Sequence, residues 1–222
     1  MKIEICATSL QSVINAQNAG ADRIELCENY LIGGVTPKLD FLRSCIKTSN
    51  IPINVLIRPR GGKFIFSDDE FNLMINSIYK FKEYNINGFV IGFHDQNKNL
   101  DDQLLKEFRK ITKGYELVFH RAFDYLKNQE KSLEMLINNN FDRILCSGSI
   151  SNSVEGIKRL IYLKVLSKNK ISIMPGGGIN VKNFNLFKSS NFSEIHLSAI
   201  EKKISLESNY NIIKEIVEMS KQ

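Results

Sequence analysis

Short apolar segments alternate along the whole chain with segments whose apolar residues recur at helical spacing, and this alternation constrains the fold most. Each of eight predicted strands is followed by a predicted helix, and the strands are centred near Glu4, Ile24, Val55, Phe89, Val118, Ile144, Ile173 and Ile195. Right-handed crossovers between that many parallel strands are accommodated most simply when the sheet closes on itself. The alternation therefore predicts an α/β protein, a single-domain TIM (β/α)8 barrel over residues 1–222.

An open, doubly wound sheet is the alternative fold for the same alternation. Sheets of that kind typically bind a dinucleotide at a GxGxxG turn after the first strand, and no such turn follows the strand that contains Cys6. A weak internal repeat supports a recurring strand–helix unit, because residues 20–27 resemble residues 141–146 and both segments lie at a passage from helix to strand. We therefore expect the closed barrel.

The chain carries 30 Lys and Arg against 24 Asp and Glu, a formal net charge of +6. The basic residues are spread over every predicted helix instead of forming one stripe, so we expect no nucleic-acid partner. No apolar run approaches the roughly 20 residues that cross a bilayer, and the amino-terminal segment lacks the pattern of a signal peptide. We therefore expect a cytoplasmic protein with no membrane partner, whose four cysteines stay reduced.

Polar residues alternate with isoleucine and leucine along the first two predicted strands. The alternation places Glu4, Cys6, Glu25 and Cys27 on the inner face of the barrel. Because the two strands are neighbours, we expect the two thiols and the two carboxylates to lie within reach of one another. Cys45 differs, since it lies on the apolar face of a predicted helix and is expected in the core.

The run Ile57-Arg58-Pro59-Arg60-Gly61-Gly62 ends the third predicted strand. Pro59 cannot donate to a ladder and favours extended geometry before it, so Arg58 and Arg60 alternate along the strand and are expected to point the same way. Two guanidinium groups beside paired glycines suit a carboxylate or a phosphate, because glycine lets a ligand approach the backbone. The alternative is a structural ion pair with an inward carboxylate.

The ends of the fifth, sixth and seventh predicted strands carry further candidate groups, and the ligand-binding groups of a parallel barrel lie at these ends. Glycine-rich turns at such ends bind phosphate through backbone N–H groups. Together with Arg58 and Arg60, the residues expected to bind an anion are Arg121, Ser147, Gly148, Gly176, Gly177 and Gly178.

Three residues near the expected mouth are candidates for proton transfer, namely His120, Glu25 and Asp124. His120 is the first choice because an imidazole titrates near neutral pH, and a purely structural histidine is the alternative. His120 and Arg121 both point inward only if the fifth strand has already ended. His196 alternates inward on the eighth strand and is a second candidate, whereas His94 is expected at the surface.

Seven short motifs, taken together, resemble the CutC family over residues 1–199. They are Glu4-Ile5-Cys6, residues 21–27, residues 33–37, IRPRGG, FHRAFD, Ser147-Gly148 and PGGGI. The resemblance implies a TIM barrel, a cytoplasmic location, a homodimer or higher homo-oligomer, and a proposed role in copper binding or tolerance. It also implies Cu(I) as the bound metal, on thiols that match Cys6 and Cys27, and Cu(I) prefers such soft ligands.

Two functions stay open at this point. The first is a copper-handling protein, and its alternative is that the two cysteines are small buried residues that fill the end of a barrel. The second is an enzyme that acts on a small anionic or phosphorylated metabolite. Its alternative is that the carboxylates only neutralise the arginines. A scaffold for protein partners has no support in the sequence.

Overall fold

The structure, a computed structural model, describes residues 1–201 and 205–222, in which eight strands alternate with eight helices. The strands are Lys2–Ala7 (β1), Arg23–Leu26 (β2), Ile53–Leu56 (β3), Gly88–Ile91 (β4), Glu116–Phe119 (β5), Arg143–Cys146 (β6), Ser172–Pro175 (β7) and Glu194–Leu197 (β8). The helices are Leu10–Asn18 (α1), Leu39–Thr48 (α2), Asp68–Phe81 (α3), Asp102–Ile111 (α4), Gln129–Asn138 (α5), Ile157–Ser167 (α6), Phe184–Ser189 (α7) and Tyr210–Lys221 (α8). Short 3-10 helices, Tyr30–Ile32 and Arg121–Tyr125, follow β2 and β5.

All strand pairs are parallel, and each strand lies beside its neighbour in the chain, in the order β7-β6-β5-β4-β3-β2-β1-β8. Strands β7 and β8 meet through a single bridge between Gly176 and His196, so the sheet forms a nearly closed barrel. The predicted TIM barrel is confirmed. The doubly wound alternative is wrong, because the strand order never reverses as it does in an open sheet of that kind.

The main hydrophobic core lies between the sheet and the surrounding helices. Outward residues of the first strand, Ile3 and Ile5, are fully buried, and helix α4 turns Leu105 and Phe108 onto the sheet. Burial of each such side chain contributes about 1.5–3 kcal/mol. No helix among the described residues combines the length and apolar character needed to cross a membrane.

The interior of the barrel has two layers of different chemistry beneath its mouth. One layer is apolar, and its members are Cys27, Leu56, Val90, Val118, Leu145 and Met174. The other lies at the amino ends of the strands and is made of alternating charges. Arg23 donates to Glu4 and, at 2.6 Å, to Glu194, while Arg143 donates to Glu194 at 3.1 Å and to Glu116 at 2.5 Å. Pairing offsets the cost of burying these charges.

We expect this charged layer to fail when one cation is removed. Arg23→Leu should lower the free energy of unfolding by about 3–5 kcal/mol, because Glu4 and Glu194 lose a buried partner. Urea denaturation measures the change. Lys106→Leu is the matched control, since it breaks an exposed pair with Asp102 and should cost no more than about 1 kcal/mol. A loss in Arg23→Leu as small as that of the control would contradict the structural role of the layer.

Candidate functional site

A cavity of about 480 Å³ opens at the carboxyl ends of the strands. Its size falls in the range of small-molecule sites, about 300–1,000 Å³. The polar groups that line it include Cys6, Glu25, Cys27, Arg58, His120 and His196. The barrel therefore gathers the two thiols, two histidines, one carboxyl group and two of the predicted arginines, Arg58 and Arg121, at a single mouth.

Two thiols lie side by side in this cavity. Strands β1 and β2 pair with Cys6 opposite Glu25, so Cys27 lies two residues further along the chain, towards the mouth. The sulfur atoms of Cys6 and Cys27 are 3.6 Å apart. The hydrogen bond between the two thiols, together with burial, raises the pKa of Cys6 well above its ordinary value of 9.0. Cys6 is therefore a protonated thiol at neutral pH. Cys45 lies in the outer core instead, as expected.

His196 is held as a cation beside the thiols. Its Nδ1 atom lies 2.8 Å from Glu4 Oε1. Burial alone would raise the pKa of Glu4, but the charge of Arg23 and the hydrogen bond from His196 lower it to about 2. Burial would likewise lower the pKa of His196, but Glu25 and hydrogen bonds to Cys6 and Glu4 raise it well above 6.5.

Glu25 differs from its neighbour Glu4. Burial raises the pKa of Glu25 to about 7, and the negative charge of Glu4 acts in the same direction. Its Oε2 atom is buried without a hydrogen-bond partner in the described part of the chain. An oxygen of Glu25, the Cys6 sulfur and a nitrogen of His196 lie within 4.8 Å of one another, a spacing that suits a metal ion. A carboxyl group of this kind can also take up or release a proton near neutral pH.

Arg58 enters the cavity wall but is enclosed by backbone. Its Nη1 donates to the carbonyls of Gly33 and Gly34 at 3.0 and 3.1 Å, and its Nη2 donates to Gly62 at 2.8 Å. Its guanidinium carbon lies 4.6 Å from the centre of the Phe64 ring. Within residues 1–201 and 205–222 no carboxylate pairs with Arg58. The mouth therefore carries a buried positive charge that backbone carbonyls stabilise and that has no carboxylate partner among the described residues.

Arg60 does not share this orientation, so that prediction is wrong. Strand β3 ends at Leu56, before either arginine, and the two-residue alternation no longer applies beyond it. Arg60 lies outside the cavity, partly exposed, and donates to Glu70 in the first turn of α3 at 2.5 Å. Arg60 does form an ion pair, but its partner Glu70 is a partly exposed helix residue and not the inward carboxylate of the alternative.

His120 and Arg121 both line the cavity because β5 ends at Phe119. The Nδ1 atom of His120 accepts a hydrogen bond from the Ala122 N–H at 3.1 Å, so the neutral ring carries its hydrogen on Nε2. Burial, aided by the charge of Arg58, lowers the pKa of His120 to about 3. At neutral pH His120 is therefore a neutral hydrogen-bond donor, which does not fit the predicted role of general base.

Asp124 supports the site from behind the cavity wall. Its carboxylate accepts from the Ser147 N–H and hydroxyl, from the Gly148 N–H and from Arg121 Nε, at distances between 2.7 and 3.1 Å. Asp124, Ser147 and Gly148 do not line the cavity. This carboxylate fixes Arg121 and the turn after β6, and its oxygens are engaged, which leaves it poorly placed for proton transfer.

The three consecutive glycines after β7 have different surroundings. Gly176 lies in the barrel wall, where a Cβ atom would come within 2.4 Å of Leu145. Gly177 and Gly178 line the cavity with positive φ angles of 99° and 87°, and a Cβ atom on Gly177 would approach the Arg121 guanidinium to 3.1 Å. Gly177 is therefore required for Arg121 to lie where it does.

Two aromatic residues of the mouth were missed by sequence reasoning, and one histidine was misplaced. Phe64 and Tyr30 line the cavity, and the Tyr30 hydroxyl lies 3.3 Å from Ser198 Oγ. His94 is buried, with its ring 6.5 Å from Phe64 and its backbone N–H bonded to the Phe64 carbonyl, so the predicted surface position is wrong. The loop that follows β3 folds over the end of the barrel. In the sequence, this position of the loop is indicated only by the aromatic residues in the loops after β2 and β3.

Comparisons with known proteins agree with the motifs. The sequence model of the CutC family matches residues 1–201. A family protein CutC from Pasteurella multocida (strain Pm70) is 41% identical over 199 residues, which are 89% of this chain and 82% of that protein. The copper homeostasis protein cutC homolog of Homo sapiens is 37% identical over 198 residues, 89% of this chain and 72% of that protein. The crystal structure of CutC from Streptococcus agalactiae superposes with a TM-score of 0.83 at 32% identity, covering 89% of this chain and 98% of that chain.

The pKa of Glu25 predicts a stability that depends on pH. Because the folded-state pKa, about 7, exceeds the ordinary 4.5, folding is penalised increasingly as pH rises from 4.5 to 7. Glu25→Gln removes this penalty, so its stability relative to the unmodified protein should rise by roughly 2–3 kcal/mol between pH 5 and pH 8. Urea denaturation at the two pH values measures this difference.

Glu70→Gln is the control for this measurement. The hydrogen bond from Arg60 lowers the pKa of Glu70 below 4.5, so the stability that its ionised form contributes is already present at pH 5 and the variant should change little in relative stability between pH 5 and pH 8. If Glu70→Gln gained as much relative stability between pH 5 and pH 8 as Glu25→Gln, the raised pKa of Glu25 would be contradicted.

Proposed function

The chain belongs to the CutC family, and we propose that it binds one Cu(I) ion at the mouth of its barrel and acts in copper homeostasis. The observation that carries the proposal is the pair of sulfur atoms, Cys6 Sγ and Cys27 Sγ, 3.6 Å apart and both facing the cavity. Cu(I) is a soft cation that favours thiolate ligands and tolerates low coordination numbers. The donors present at the mouth suit it.

The separation of the two sulfurs favours one ion between them. Two thiolates whose sulfur atoms lie 3.6 Å apart would be able to hold one ion together. The separation is shorter than two metal–sulfur bonds of about 2.3 Å, the length found for zinc, placed end to end. A third donor would therefore suit the site better than a strictly linear pair.

His196 is the third ligand in this proposal. Glu4 engages its Nδ1, so Nε2 is the nitrogen that faces the metal, and a carboxylate behind a ligating histidine is a common arrangement at metal sites. Glu25 is also within reach, but its hard oxygen suits Cu(I) poorly. Binding must displace protons from both thiols and from the imidazolium, so affinity depends on pH.

An anaerobic titration with Cu(I) against a chromophoric chelator tests the proposal. The protein should bind one Cu(I) per chain, and Cys27→Ser should weaken binding at least about 100-fold, beyond the roughly 10–100-fold that loss of an outer partner of a metal ligand costs. Cys45→Ser is the control, because Cys45 lies on the buried face of helix α2 and does not line the cavity. Equal affinity in the Cys27→Ser and Cys45→Ser variants would refute the site.

A further inference from the structure

Three buried polar atoms lie unpaired around the cavity, and Cu(I) binding by the two thiols and His196 uses none of them. They are Glu25 Oε2, Arg58 Nε and His120 Nε2, and no other buried side-chain nitrogen or oxygen in the described part of the chain lacks a partner. Each residue is at least nine-tenths buried, with 5–6% of its surface exposed, and each lines the cavity. Buried polar groups are nearly always satisfied, so three exceptions at one site indicate a ligand.

Two of the three atoms are hydrogen-bond donors, and both belong to residues that lie against the Phe64 ring. The Arg58 guanidinium lies 4.6 Å from the Phe64 ring centre, and the His120 ring lies 4.9 Å from it. Arg58 Nε–H donates, and His120 Nε2 carries the hydrogen because Nδ1 already accepts from Ala122. Two donors beside a buried positive charge without a carboxylate partner are complementary to the oxygens of an anion.

The third atom sets a further requirement on the ligand. Glu25 Oε2 is a carboxyl oxygen on strand β2, next to the Cys6–His196 group, and a hydroxyl of the ligand would satisfy it. The cavity, about 480 Å³, is also much larger than an inorganic anion requires. An organic molecule that has an anionic group and a hydroxyl group would meet both requirements.

We propose that the cavity binds a small polyhydroxylated organic anion, a sugar phosphate or a sugar acid, with its charged oxygens on Arg58 and His120 and a hydroxyl on Glu25. This assignment is independent of the copper proposal, because it rests on oxygen and nitrogen atoms outside the proposed metal ligands. Arg121 also lines the cavity, but its charge is paired with Asp124, so Arg58 is the arginine that faces the anion in this proposal.

Isothermal titration of the copper-free protein tests the proposal with three probes: D-ribose 5-phosphate, D-gluconate and uncharged D-ribose. At least one anion should bind with a millimolar or lower Kd, and D-ribose should bind at least ten-fold more weakly. Binding of the phosphate alone or of gluconate alone identifies the anionic group. Absence of binding by both anions, or equal binding of D-ribose, overturns the proposal.

Two variants locate the binding. His120→Asn retains a side-chain oxygen that accepts the Ala122 N–H but removes the Nε2 donor, so it should weaken anion binding at least ten-fold while the protein keeps a cooperative melting transition. Arg60→Ala is the matched control, since it removes a positive charge that lies outside the cavity. Unchanged anion affinity in His120→Asn, or an equal loss in Arg60→Ala, overturns the assignment. Because no copper is present, this result and the Cu(I) titration succeed or fail separately.

Discussion

One buried carboxylate, that of Glu4, connects the structural interior of the barrel with its mouth. One of its oxygens accepts from Arg23 in the charged layer, and the other lies 2.8 Å from His196 Nδ1 at the cavity. A buried charge is stable only when it is paired and hydrogen-bonded. Removing Arg23 or His196 would therefore leave Glu4 with a buried negative charge that is less well compensated. The carboxylate that stabilises the charged layer therefore also orients the His196 imidazole beside the two thiols.

This arrangement separates the properties of two neighbouring carboxyl groups. Glu4 has two cationic partners and a pKa lowered to about 2, whereas Glu25 lies one strand away with a free oxygen and a pKa raised by burial to about 7. Environments that push the pKa values of two such groups apart are characteristic of functional sites. The mouth thus combines a permanently charged support with a group that changes its protonation state near neutral pH.

Much of this site was predictable from the sequence because it lies on strands. The two-residue period of a strand determines which side chains enter a barrel, and it indicated the inward positions of Glu4, Cys6 and Cys27. Beyond a strand end no such period applies, which is why the positions of Arg60 and His94 were wrong. The tautomer of His120 was also beyond the sequence, since it depends on a hydrogen bond from Ala122 in a 3-10 turn.

The link between Glu4 and His196 is tested most directly by NMR of the copper-free protein with ¹⁵N-labelled histidine, followed from pH 6 to pH 9. The account predicts that His196 loses its proton only at a pH well above 6.5, because Glu25, Cys6 and Glu4 raise its pKa, while His120 is neutral throughout. A His196 ring that loses its proton at or below pH 6.5 would contradict the account.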